Sequence, residues 1–100
     1  MDVLATVVDP EGRRVVLTGE RWAHIVGDAA GGTGHPELRP YRDEIMRAIR
    51  GPTLRMPGRM PNQEWFHLEG VGPSRYLKVV VEFRQDRGFI VTAFARRSTP

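Results

Sequence analysis

The residues best suited to chemistry in this chain lie in its last third: Trp65, His67, Arg75, Tyr76, Lys78, Thr92 and Arg96. Read as extended chain, 64 to 69 alternates, with Phe66 and Leu68 pointing one way and Trp65, His67 and Glu69 the other. The run Arg75 to Glu82 does the same, placing Leu77, Val79 and Val81 against Tyr76, Lys78, Val80 and Glu82. One face therefore gathers an imidazole, a phenol, an ammonium, a hydroxyl and a guanidinium beside an indole. Such a set suits metal-free cleavage of RNA: a base takes the proton of a ribose 2′-OH, cations stabilise the phosphorane, and an aromatic ring stacks a base. A solvated sheet face with no catalytic role presents the same alternation, so the pattern alone leaves both open.

His24 and His35 form a second group, with Glu37 close by in sequence. They fit general acid–base or phosphate-binding roles, or a metal site, although no HExxH-like spacing is present. In structural terms His35 caps a helix and His24 occupies a half-buried helical position. Gly31-Gly32-Thr33-Gly34 lacks the Walker lysine and the strand that precedes a phosphate loop. Ser74 and Ser98 have no His–Asp context.

The elements that must position these groups follow from local chemistry. Val3 to Val8 and Arg13 to Leu17 form a short hairpin around Asp9-Pro10-Glu11-Gly12. Thr18 is an N-cap for a helix running through Val26, with Trp22, Ile25 and Val26 as its buried stripe. Gly27 and the run Ala29 to Gly34 read as a flexible loop. After His35-Pro36-Glu37-Leu38 and a restart at Pro40, Tyr41 to Arg50 is the clearest helix, with Tyr41, Ile45, Ala48 and Ile49 on one face. Arg55 to Asn62 reads as a loop or irregular edge. The chain is organised around Arg75 to Ala95, two strands joined by a loop of about five residues ending in Gly88. Pairing Phe83 with Phe89 puts Phe89, Val91, Ala93 and Ala95 on the apolar face, and Ile90, Thr92, Phe94 and Arg96 on the mixed one. The expected fold is α+β: two N-terminal helices packed on one face of a curved antiparallel sheet of about four strands, with a short N-terminal hairpin.

Composition narrows the partners. One hundred residues is one domain, 1–100, and the absence of cysteine excludes disulfides, thiolate zinc sites and a cysteine nucleophile. No apolar run approaches the roughly 20 residues of a membrane span, and no signal peptide opens the chain, so a cytoplasmic location without a membrane partner is expected. The net charge is +3 and the pI near 10.2. Fourteen arginines against the single Lys78 suit phosphate contacts, while twelve acidic residues balance most of them.

Three segments carry a resemblance: Leu17-Thr18-Gly19-Glu20-Arg21-Trp22-Ala23-His24-Ile25, His35-Pro36-Glu37-Leu38, and Arg75-Tyr76-Leu77-Lys78-Val79-Val80-Val81 with Ile90-Val91-Thr92-Ala93-Phe94. In that order they resemble the small phage and mobile-element nuclease domains of the barnase–EndoU–colicin–RelE-like group, over residues 13 to 96. The resemblance implies two helices on a curved antiparallel sheet of about four strands. It also implies a toxin- or effector-like endoribonuclease that needs neither metal nor cofactor. His24, His35, Glu37, Lys78 and Thr92 match the group's recurrent polar positions. His24, His35, Lys78 and Thr92 are then the catalytic candidates, with Trp65, His67, Arg75, Tyr76 and Arg96 holding RNA. A toxin of this kind implies an acidic antitoxin or immunity protein. The alternative is an RNA- or protein-binding module of the same fold without catalysis.

Overall fold

The computed structural model describes residues 2–27 and 34–99. The β1 strand (Val3–Val8) and β2 (Arg14–Thr18) pair antiparallel around the Asp9–Gly12 turn. The Thr18 backbone is extended, and its Oγ1 accepts a hydrogen bond from the Arg21 N–H at 3.2 Å, starting α1 (Gly19–Val26). A 3₁₀ segment, Pro36–Tyr41, runs directly into α2 (Arg42–Arg50). Pro40 lies inside the 3₁₀ part, where its ring would crowd the carbonyl four residues back in an α-helix. The β3 strand (Leu54–Pro57), β4 (Gln63–Glu69), β5 (Tyr76–Arg84) and β6 (Arg87–Arg96) complete the fold. The expected loop from Ala29 to Gly34 lies, except for Gly34, outside the described residues.

All six strands form one sheet in the order β1-β2-β6-β5-β4-β3. This corrects the expected antiparallel sheet of about four strands. The N-terminal hairpin is part of the main sheet, because β2 runs parallel to β6 through Arg14↔Arg87, Val15↔Gly88 and Val16↔Phe89. Gly88 permits that junction: a Cβ there would lie 2.8 Å from both Phe83 Cε1 and Val15 Cγ2. The other added strand, β3, pairs antiparallel with β4 from Leu54↔His67 to Pro57↔Glu64. As an edge strand it tolerates Pro57. The helices are also unequal, since residues 36–50 form one continuous helical segment whereas α1 has 8 residues.

The β5–β6 connection is tighter than expected. Arg84 pairs with Arg87, leaving Gln85 and Asp86 as the turn, and Gln85 adopts φ 59°. Phe83 consequently faces Gly88 rather than Phe89. A bulge at Val91, between the pairs Val81↔Ile90 and Val80↔Thr92, then moves the alternation by one residue. The tighter turn, before the bulge, puts Ile90 in the core and Phe89 on the opposite face, the reverse of the expected sorting. Beyond the bulge, Ala93 faces Val79 in the core, and Thr92, Phe94 and Arg96 face outward.

Both helices pack on one face of the sheet, α1 against β2 and β6, and α2 across β1, β4 and β5. Ile25, Val26, Leu38, Ile45, Ala48 and Ile49 meet Val15, Leu17, Phe66, Leu77, Val79, Val81 and Ile90 there. Among the described residues, no helix is long and apolar enough to cross a membrane.

Candidate nucleic-acid interface

The helix-free face of β4, β5 and β6 is centred on Lys78. Strand pairing places His67 beside it on β4 and Phe94 beside it on β6. Trp65 and Arg96 are its diagonal neighbours, and Thr92 pairs with Val80 one step further along. The structure thus brings together Trp65, His67, Tyr76, Lys78, Thr92 and Arg96, with Arg75 at the rim.

The Lys78 ammonium sits 3.4 Å from the centroid of the Trp65 ring and 5.4 Å from that of Phe94. The residue is only 5% exposed, and among the described residues no carboxylate pairs with it. A desolvated cation over an indole gains about 2 kcal/mol, less than the several kcal/mol that removing an ammonium from water costs. The ring therefore offsets part of the penalty and leaves the rest. Burial, followed by repulsion from Arg96 and Arg59, lowers the Lys78 pKa from its ordinary value.

His67 is fully buried, and its ring stands edge-on to Tyr76 at 6.3 Å. Among the described residues, neither ring nitrogen has a hydrogen-bond partner at good geometry. The backbone of Leu54, its cross-strand neighbour, favours the protonated ring, but burial and then Lys78 outweigh it and lower the pKa below the ordinary 6.5. The imidazole is thus held neutral and away from solvent beside Lys78.

At the rim, Arg96 lies 5.8 Å over Phe94, and Arg75 lies 5.4 Å over Tyr76 while pairing with Glu69 at 3.2 Å. Glu82, on the same side of β5, is paired with Arg84 at the far end.

The two remaining histidines separate. His35 reaches the face from the start of the 3₁₀ segment: its backbone N–H donates to Ile25 O, its ring lies 5.9 Å from Phe94, and its Nδ1 is 3.4 Å from Glu37. His35 provides no side-chain cap hydrogen bond to that segment. His24 is exposed on α1, and no ring contact or ion pair joins it to this face. Among the described residues, no three His, Cys, Asp or Glu side chains cluster as metal ligands would.

Two contributors were not among the sequence-derived site residues. Phe94 was on the mixed face by alternation but carried no role, and it is the ring that links Lys78, His35 and Arg96. Arg59 lies in the loop before β4, where no periodicity could assign it a direction.

In comparisons with known proteins, no family model, no curated protein and no solved structure matches the chain.

Proposed function

We propose that this domain binds single-stranded RNA on the open face of β4, β5 and β6. One observation carries the reading: a cation with no carboxylate partner among the described residues sits between two aromatic rings on the helix-free sheet face, with Arg59 and Arg96 near it. A phosphodiester strand supplies the missing negative charge, and its bases stack on aromatic rings at about 1–3 kcal/mol each. Trp65, Tyr76 and Phe94 provide the rings; Lys78, Arg59, Arg75 and Arg96 provide the positive field. Duplex grooves are poorly suited to a sheet face, whereas unpaired bases can lie across it.

The test is a titration of a labelled single-stranded RNA at two salt concentrations. Affinity should fall as salt rises, because each neutralised phosphate releases counterions. Trp65→Ala should weaken binding by about 1–3 kcal/mol. Salt-independent binding, or none, would overturn the proposal.

A second reading is metal-independent endoribonuclease activity, supported by the approach of both His35 and Lys78 to the Phe94 ring. In that reading His35 serves as acid or base, Lys78 stabilises phosphate charge and Thr92 orients the substrate. Cleavage in excess EDTA that leaves 2′,3′-cyclic phosphate ends and is lost in His35→Ala would support it. Intact RNA under conditions of saturated binding would exclude it. An acidic inhibitor protein, if the domain is a toxin, would meet the same cations.

A further inference from the structure

We infer that two copies of this chain associate through β1, pairing antiparallel about a two-fold axis at Thr6 so that their sheets become one. The inference uses a different part of the sheet from the RNA reading and does not depend on it.

Among the described residues the sheet has two edges, β1 and β3. Proteins blunt such edges with short strands, proline and charge, because an unpaired edge is a template for another strand. The β3 edge is blunted in all three ways: it has four residues, ends in Pro57 and carries Arg55. The β1 edge, Val-Leu-Ala-Thr-Val-Val, has six residues with neither proline nor charge. Its one irregularity, between Val3 and Ala5, lies at the N-terminal end and leaves Ala5 to Val8 in regular register. Val3, Leu4 and Val8 are 45%, 38% and 52% exposed, which makes this strand the main carrier of large apolar side chains left outside the core.

The hydrogen-bond phase of β1 sets the register of its partner. Bonded pairs alternate along an antiparallel ladder. The Asp9 N–H donates to Arg13 O at 2.9 Å, so Val7 and Ala5 also turn their backbone groups inward, to Val15 and Leu17 of β2. Thr6 and Val8 turn theirs outward. A two-fold axis passes through a residue that faces its own copy, and Thr6 is the outward-turned residue within the strand rather than at its end. Thr6 opposite Thr6 sets Val8 against Leu4 of the other copy, and Leu4 against Val8. The exposed apolar side chains thereby cover one another in both halves of the seam. Each chain carries a net charge of +3, but no charged residue lies between Val3 and Val8, so no like charges meet there. Asp9, the next residue, is buried and held by its own turn. A second copy therefore fits this edge in backbone phase, in side chains and in charge. The axis runs perpendicular to the sheet, so the helix-free faces of both copies look the same way. The contact is isologous and closes at two copies.

The experiment is sedimentation velocity of the intact chain over a dilution series from about 1 mM, because a single strand pair is a small interface of the weak class. The mass should move between 11.3 kDa and twice that value. Thr6 is exposed, so Thr6→Lys spares the core while setting two ammonium groups against each other at the axis. This variant and Thr6→Glu should each stay monomeric, and an equimolar mixture of the two should recover the dimer as opposite charges face each other. The chain has no cysteine of its own. Thr6→Cys should cross-link to its copy under mild oxidation, whereas in Val8→Cys the two positions stand about 14 Å apart in this register and should not. A wild type that is monomeric across the series, or that grows beyond two copies, would overturn the proposal. So would dimerisation that survives Thr6→Lys, a mixture that stays monomeric, or cross-linking at position 8 in place of position 6.

Discussion

Lys78 is the single lysine of a chain that uses arginine at fourteen other positions. A guanidinium is planar and always charged, whereas an ammonium on an unbranched stem fits between rings and shifts its pKa readily when buried. The position thus favours the side chain that the rest of the sequence avoids. Its neighbour His67 makes stability depend on pH. Because the folded pKa lies below the ordinary 6.5, the unfolded chain takes up a proton that the folded chain refuses as pH falls below that value. Stability should therefore decline as the medium is acidified from neutral, before carboxylates titrate, with Lys78 and Arg96 as the repelling charges. His67→Phe should flatten this part of the curve in urea titrations between about pH 7 and 5. An unchanged slope would remove His67 as its source. A second residue-scale test concerns Asp9, whose buried carboxylate accepts hydrogen bonds from the backbone N–H groups of Glu11 and Arg13 and from Arg13 Nε. The Arg13 guanidinium also meets Glu64 at 2.7 Å and covers the Phe83 ring at 3.7 Å. Burial opposes its charge, but the bonds to Glu64 and Asp9 more than offset this and raise its pKa. Asp9→Ala should cost roughly 2–4 kcal/mol, less than a wholly buried pair because Arg13 is partly exposed. Chemical denaturation would measure it.

At the scale of elements, the β5–β6 hairpin carries both a strain and a constraint. Gln85 occupies left-handed backbone, which costs a residue with a Cβ about 1 kcal/mol or more relative to glycine. Gln85→Gly should therefore raise the melting temperature by several degrees, less the flexibility that glycine adds to the unfolded chain. Gly88→Ala should do the reverse, losing about 1–3 kcal/mol as its methyl group meets Phe83 and Val15. Both are read by thermal unfolding. The parts of these elements that the sequence made legible rest on local rules. Period-two alternation separated Trp65 and His67 from Phe66 and Leu68, and a threonine before an amphipathic stretch marked the start of α1. The parallel contact of β2 with β6 joins Val15 to Gly88 across most of the chain, and no local pattern announces such a pairing. The bulge at Val91 is equally silent, because Phe89, Ile90 and Val91 are all apolar and fit either face. At the site, alternation placed Lys78 and His67 on the right side of β4 and β5. Their burial depends on Trp65, Tyr76 and Phe94 closing over them, which spacing alone does not reveal.

At the scale of the molecule, one face of the sheet is covered by α1 and α2, while the central part of the other presents rings and cations. The radius of gyration, 12.5 Å, is close to the roughly 13 Å of a compact 100-residue domain. The N-terminal hairpin therefore belongs to the same body, and Arg13 fastens its turn to β4 and β5. This leaves the open face as a surface on a rigid support. The competing location for RNA is the exposed arginine side of α2, with Arg42, Arg47 and Arg50. The most direct measurement is an amide NMR titration of the intact chain with a single-stranded RNA octamer. Shifts concentrated on β4, β5 and β6 around Trp65, Lys78 and Phe94 are the expected result. Shifts concentrated on α2, or none at saturating RNA, would contradict the assignment of this face.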